Sequence, residues 1–288
     1  MEVLIYGSVQ SASLFIMACG FSLVYGITRL PNFAHGALYV FSGYAAWVFL
    51  QRLGLPYPLA ALLALAAAAA LGVAIYQLVL RRIRGMEMSE VIATYAVGLV
   101  ILEGLRWAGV RGTTHSLPVF ADGNVTVLGV PIDYQRIAIV VVALALLGLL
   151  SAFTHFSRAG RALRAVAQDE RAAMMLGIDP DRTATVAVAL GSVLAGAGAL
   201  VLLPLGSIVV QEGYKVLIYA IAVCVVGGLG SWTGTVLASL VLGFAQYVTA
   251  FYGKAHYQMV VMLAAIVLTL LVRPSGFLGR QKELEERV

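Results

Sequence analysis

The chain has 288 residues, 61% of them hydrophobic and 11% charged, with a mean hydropathy of +0.94. A water-soluble domain carries about 25% charged residues, so this chain has too few to cover its own surface in water, and its main solvent must be lipid. The net charge of +5 is small and unevenly placed, which argues for membrane orientation rather than nucleic-acid binding.

A helix that crosses a bilayer needs about 20 apolar residues. In chain order the runs that qualify, or nearly so, are 8–28, 31–49, 57–80, 89–109, 136–155, 183–204, 214–229, 234–252 and 256–272. Two pairs, 8–28 with 31–49 and 214–229 with 234–252, are separated by only a few residues, so eight and nine spans are both open. The expected fold is an all-α polytopic bundle with discontinuous helices, a single domain over 1–288. The first basic residue is Arg29, so no positive segment precedes the first run and no cleavable signal peptide is expected. The runs around 61–70, 141–150 and 261–271 are rich in Ala, Leu and Val and read as packing or lipid-facing helices. Cys19 and Cys224 lie in apolar runs and read as buried thiols, and no Cys/His spacing suggests a metal site.

The stretch RLPNFAHGALYVFSGY, residues 29–44, interrupts the first apolar pair. Pro31 lacks an N–H and disfavours helix at Leu30, so a break near 29–32 is expected. Two readings follow. Either this is a tight turn at the headgroups, or it is a discontinuous helix whose positive N-terminal end faces a pathway, with Asn32, His35, Gly36, Ser42 and Tyr44 along it. In the second half, CVVGGLGSWTGTVLASLVLG, residues 224–243, interrupts another apolar pair with Gly227, Gly228, Gly230 and Gly234. Breaks at corresponding places in two halves would mark an internally repeated transporter with Gly228 and Gly230 on the pathway. Close helix packing through Gly230 and Gly234, a G-x-x-x-G pair, is the competing reading.

Basic residues orient the bundle. Arg81, Arg82 and Arg84, then Arg158, Arg161, Arg164, Arg171 and Arg182, then Arg273, Arg280, Lys282 and Arg287 alternate correctly if all three groups are cytoplasmic. That places twelve basic residues inside against six outside, with Arg29 unassigned. With nine spans the N-terminus is outside and the C-terminus cytoplasmic. The outside loop 110–135 contains VTVLGVPID, whose β-branched residues around Leu128-Gly129 read as a short hairpin or cap, serving either as a simple cover or as a docking surface.

Residues 158–182, RAGRALRAVAQDERAAMMLGIDPDR, carry two helical faces. Leu163, Val166, Glu170, Ala173 and Gly177 fall on one, and Arg164, Gln168, Arg171 and Met175 on another. Gly177 is a C-terminal stop, and Asp179-Pro180 reads as an N-cap followed by proline at the first helical position. A short charged helix between two spans is either a solvated loop or a docking element.

DERAAMMLGID, residues 169–179, resembles the cytoplasmic coupling loop of ABC-importer permeases, with matches at Glu170, Ala172, Ala173 and Gly177. LPNFAHGALYVFSGY resembles a segment near the start of branched-chain amino-acid (LIV-type) permeases, with matches at Asn32, Phe33, Ala34, His35, Gly36, Gly43 and Tyr44. The length and the 224–243 region are similar to the same family, in its shorter, LivH-like form. The resemblance implies a helix at about 160–177, including Arg164, Asp169 and Glu170, seated on an ATPase subunit. It implies four partner chains: a paralogous permease, two ATP-binding cassette subunits and an outside solute-binding protein. It also implies a multi-pass bacterial-type inner membrane location.

No G-x-x-x-x-G-K-[ST] pattern occurs, so this chain holds no nucleotide itself; ATP belongs to the partner subunits. The mostly apolar pathway suits aliphatic amino acids, and urea, short amides or aromatic acids are the alternative cargo. An ion-coupled carrier is the runner-up class. It usually keeps an acid deep in a span, whereas Glu90 starts one span and Glu103 pairs by spacing with Arg106 near its end. No nucleophile, metal or paired-carboxylate set within the spans suggests an enzyme.

Overall fold

The computed structural model describes residues 1–29, 31–110 and 115–279, the side chains of Glu87 and Val110 excepted. Leu30 and the tail residues Arg280, Lys282 and Arg287, together with Arg111 of the outside loop, one of the six basic residues assigned to that side, lie outside the described residues. The long apolar runs form helices α1 (Glu2–Thr28), α2 (His35–Gln51), α3 (Tyr57–Leu78), α4 (Glu87–Leu105), α5 (Tyr134–Phe156), α8 (Pro180–Leu202), α9 (Val210–Gly227), α10 (Trp232–Tyr252) and α11 (Tyr257–Val272). Two short helices, α6 (Arg158–Gln168) and α7 (Glu170–Met175), occupy the charged loop. Among the described residues, seven helices are long and apolar enough to cross a membrane. The expected count of eight or nine is not reached on length, because α2 and α11 have 17 and 16 residues.

The shortness of α2 has a geometric cause. His35, its first residue, touches Met17, Gly20 and Phe21 of α1. These lie seven to eleven residues before the end of α1 at Thr28, about 10–16 Å along its axis. The chain therefore leaves α1, turns back into the bundle over 29–34 and starts α2 at mid-depth. The same happens before α9. Leu203 packs against Gly43 of α2, while Gly213, in the first turn of α9, packs against Gly36, seven residues nearer the start of α2. The two helices begin at the same depth and touch there. A Cβ on Gly36 would lie 1.9 Å from the Gly213 carbonyl oxygen.

These two re-entrant starts belong to an inverted repeat. α9 begins 175 residues after α2, and α10 begins 175 after α3. α1 packs on α10 as α8 packs on α3, and α2 packs on α8 as α9 packs on α1. α2 also packs on α3 and α4 as α9 does on α10 and α11. The two copies, α1–α4 and α8–α11, run in opposite directions. This differs from the sequence reading, in which the break at 29–32 was matched with the glycines of 224–243. The counterpart of 29–34 is 203–209, and each segment carries one proline, Pro31 in the first and Pro204 in the second. The glycine-rich turn instead matches the turn between α2 and α3, and Gly54 (φ +64°) and Gly230 (φ +75°) take corresponding left-handed conformations.

Small residues set the helix spacing. Ala60, Ala64, Ala68 and Gly72 form a four-residue period along α3; all three alanines are buried, and Gly72 abuts Ser192 of α8. Such stripes let helix backbones approach closely where lipid gives no hydrophobic drive for association. The featureless runs of α3, α5 and α11 expose Leu62, Leu144, Leu149, Leu268 and Leu271 on the outside of the bundle. Cys19 and Cys224 are buried and free.

At one end, Asn124–Val127 (β1) and Val130–Asp133 (β2) form an antiparallel hairpin with Val127 opposite Val130. Its turn is Leu128-Gly129, both at positive φ (52° and 82°), as a two-residue turn between twisted strands requires. Gln135 fastens the loop before β1: its Oε1 accepts from the Phe120 N–H at 2.9 Å, and its Nε2 donates to the Val201 carbonyl at 2.8 Å. The start of α1 lies at this end, where the Tyr6 hydroxyl donates to the Pro131 carbonyl. The loops carrying Arg81, Arg84 and residues 158–181 share the opposite end.

The contact between α2 and α9 makes a prediction. Gly36→Ala should destabilise the protein by about 2–3 kcal/mol through overpacking, while Gly148→Ala, with nothing within 4 Å of the added Cβ, should be neutral or slightly stabilising. Thermal unfolding in detergent compares them; equal midpoints would remove the mid-depth contact.

Candidate functional site

The break after α1 is built from residues that satisfy one another. Arg29 closes α1 in a left-handed conformation (φ 56°), and its N–H donates to the Tyr25 carbonyl at 2.8 Å. Asn32 is 5% exposed. Its Oδ1 accepts from the Ala34 N–H at 3.1 Å, and its carbonyl accepts from the His35 N–H at 3.1 Å. Asn32 thus replaces hydrogen bonds that Pro31 and the interrupted helix cannot supply, as non-helical backbone inside a membrane protein must arrange.

The other residues proposed for a pathway on this segment hold helices together. His35 is fully buried, with Nε2 2.9 Å from the Met17 carbonyl and its ring edge-on to Phe21. Gly36 gives the α2–α9 contact. The Ser42 hydroxyl donates to the Leu38 carbonyl at 2.7 Å and packs against Gly196. Tyr44 stacks on Trp47 and donates from its hydroxyl to the Ala108 carbonyl at 2.8 Å. Gly228 and Gly230 sit in the turn after α9. A Cβ on Gly228 would lie 2.3 Å from the Gly279 nitrogen, and Gly230 meets Gly26 of α1. The orphan carbonyls of Val226 and Gly227 accept from the Phe277 and Leu278 N–H groups at 2.8 and 3.0 Å. The segment after α11 therefore caps α9.

A cavity of about 350 Å³ opens at the arginine-rich end. Arg29, Pro31 and Asn32 border it from the break, Tyr76 from α3, Leu80 from the turn that follows α3, Glu90 and Thr94 from α4, and Glu170 from α7. Of the seven residues assigned to a pathway, Asn32 alone lines it. Glu90 is 5% exposed, and its Oε1 accepts from the Gly85 N–H at 2.7 Å.

The charged loop is two helices, where the sequence reading expected one over 160–177. The Ser157 hydroxyl caps α6 by accepting from the Gly160 N–H. Asp169 then leaves helical geometry (φ −155°) and caps α7 by accepting from the Ala172 N–H at 3.0 Å, because a short acidic side chain competes for the backbone donors at a helix start. Gly177, at φ +79°, ends α7, and Asp179 caps α8 with Pro180 in its first turn. Leu163, Val166 and Ala173 are buried against the bundle, while Arg164, Arg171 and Ala172 are exposed. Met174, Met175 and Leu176 expose 49%, 89% and 80% of their surface, a bare apolar knob on a polar loop. Of these only Met175 had been singled out in the sequence; the signal was the run MML among charged neighbours.

Arg84 was missed as well. It pairs with Glu170 at 2.5 Å and with Asp181. Asp181 also pairs with Arg81 at 3.3 Å and accepts from the Tyr76 hydroxyl at 3.1 Å. Partial burial works against the Arg84 charge, but Glu170 and then Asp181 hold it above the ordinary arginine value. Nothing in the spacing of 84, 170 and 181 announces this cluster.

Inverted repeats with helices that start at mid-depth are the architecture of membrane transport permeases. The chain belongs to the family described as branched-chain amino acid transport system / permease component, whose model matches residues 3–270. It is similar to the high-affinity branched-chain amino acid transport system permease protein BraD of Pseudomonas aeruginosa, with 32% identity covering 97% of this chain and 96% of that one. It is also similar to the corresponding permease protein LivH of Escherichia coli K12, with 30% identity over 92% and 91% of the two chains. Among solved structures, PsaBC from Streptococcus pneumoniae in complex with Fab shares the fold at a TM-score of 0.52 and 12% identity, covering 99% of this chain and 96% of that one. The protein is accordingly a multi-pass membrane permease component.

The His35 geometry is testable. His35→Ala should lower stability by about 2 kcal/mol, through a lost buried hydrogen bond and a cavity between α1 and α2. An unshifted thermal midpoint would show that the bond to Met17 contributes nothing.

Proposed function

We propose that the chain is one permease subunit of an ATP-driven importer for branched-chain aliphatic amino acids, and that α6 and α7 form its coupling element. The observation that carries this reading is the exposed Met174-Met175-Leu176 knob. It projects from a capped, braced helix at the arginine-rich end, in a family of transport permeases. Exposed apolar clusters of this kind, on an otherwise polar surface, mark protein-docking sites. By the distribution of basic residues that end is cytoplasmic, where ATP-binding subunits reside.

On this reading all nine long helices belong to the membrane domain, with α2 and α9 as re-entrant members and the C-terminus cytoplasmic. Two ATP-binding cassette subunits, a second permease chain and an outside solute-binding protein complete the transporter. The hairpin end faces outward and forms a cap over residues 115–133. Solute passes along the wall shared with the second permease. Asn32 is the pathway residue at the inner end; His35, Gly36, Ser42, Tyr44, Gly228 and Gly230 keep the surrounding helices in register. The cavity at the inner end is the space into which the break at 29–34 moves when the ATP-binding subunits close, and transport follows by alternating access.

The decisive measurement is assembly and uptake with the full set of subunits. Met175→Glu should insert at normal levels and unfold at the normal temperature, yet retain at least about tenfold less ATP-binding subunit on purification, equivalent to about 1.4 kcal/mol. Leucine uptake should fall in parallel. Undiminished co-purification would dismiss α7 as the docking element.

A further inference from the structure

Beyond docking, the lever needs a mechanical link to the transmembrane helices, and α7 has few contacts of its own. It is only six residues long, and of these Ala173 alone is buried. We propose that Arg84 is that link: a positioning residue that binds α7 to the α3–α4 turn and to the start of α8, so that displacement of α7 reaches the break at 29–34. The proposal rests on the reading of α6 and α7 as the coupling element.

Three separate segments meet at this one guanidinium. Glu170 is the first residue of α7, Asp181 lies in the first turn of α8, and Arg84 lies in the turn between α3 and α4. The fork of an arginine can serve two carboxylates at once through different nitrogens, which a lysine ammonium does less specifically. Here Nη2 faces Glu170 and Nη1 faces Asp181. The α3–α8 side of the link is already stiff. Beside the pair between Arg81 and Asp181, the Tyr76 hydroxyl donates to Asp181, and Gln77 Nε2 donates to Thr185 at 2.9 Å. The α7 side has no such redundancy: among the described residues Glu170 makes its ion pair with Arg84. Arg84 and Glu170 also border the cavity whose other wall is Arg29, Pro31 and Asn32. The link therefore lies beside the re-entrant segment.

Stability does not account for the arrangement. The side chains of Arg84, Glu170 and Asp181 are 35%, 47% and 32% exposed. Ion pairs at such exposure contribute little to folding, so their consequence is the orientation of α7. The effect of breaking them should appear in coupling, not in the fold.

The test uses the complete transporter in proteoliposomes and reads ATP hydrolysed per leucine transported. Arg84→Gln and Glu170→Gln should each raise that ratio about tenfold, and in Arg84→Gln thermal unfolding and co-purification of the ATP-binding subunits should stay within twofold of the parent. Arg84→Lys should fall between. Exchanging the charges, Arg84→Glu with Glu170→Arg, should bring the ratio closer to the parent than Arg84→Glu alone, because Asp181 keeps Arg81 as its partner. A normal ratio in Arg84→Gln would overturn the proposal whatever the exchange variant does. Met175→Cys, crosslinked to the ATP-binding subunit in the otherwise unaltered protein, separates the two ideas. A crosslink with a normal ratio in Arg84→Gln defeats the link alone, and no crosslink at all defeats docking and link together.

Discussion

A polypeptide in lipid has no water to take up an unpaired N–H or C=O, so every departure from helix needs a local partner. The architecture of this permease follows from how its departures are satisfied. At 29–34, Asn32 supplies an oxygen to the backbone that Pro31 disrupts. Before α9, the Ile208 N–H donates to the carbonyl of His115, so the cap loop completes the second re-entrant segment. After α9, Phe277 and Leu278 donate to the carbonyls of Val226 and Gly227, which the helix end leaves without intrahelical partners. The first break is satisfied within its own segment, whereas the breaks on either side of α9 are tied to elements distant in sequence.

This constraint also explains the use of glycine. Two helices that begin inside the protein can meet only if their first turns lack side chains at the contact, which is the role of Gly36 and Gly213. The same holds at the turn after α9, where the backbone of 276–279 lies directly on Gly228. Glycines that resemble a pathway motif in one dimension are here the means of close backbone approach. Polar residues near them also make structural contacts. His35 and Ser42 spend their hydrogen bonds on the carbonyls of Met17 and Leu38.

Much of the fold was legible in the chain. Each of the nine apolar runs became a helix within six residues of its expected ends, because length and hydropathy alone dictate membrane helices. The hairpin at Leu128-Gly129 and the caps at Gly177 and Asp179 follow from local turn chemistry, which short windows of sequence carry. The pairing of the two halves was not legible, because it depends on depth, and depth is set by contacts such as His35 with Met17 rather than by residue type. The break of the charged loop at Asp169 was missed because acidic-Ala-Ala reads as continuous helix unless the Asp169 side chain is seen capping. Arg84 was hidden for a different reason: positive-inside arginines are common, and only three-dimensional proximity to Glu170 and Asp181 distinguishes this one.

The cap on α9 has a consequence for biogenesis. Residues 277 and 278 emerge from the ribosome after every membrane helix in the chain, yet they complete the end of a helix made about fifty residues earlier. During synthesis, the turn at Gly227–Gly228 must wait with its carbonyls unclosed, sheltered by the translocation machinery or by neighbouring helices. The bonds that close the end of α9 can therefore form only after α11 has been made.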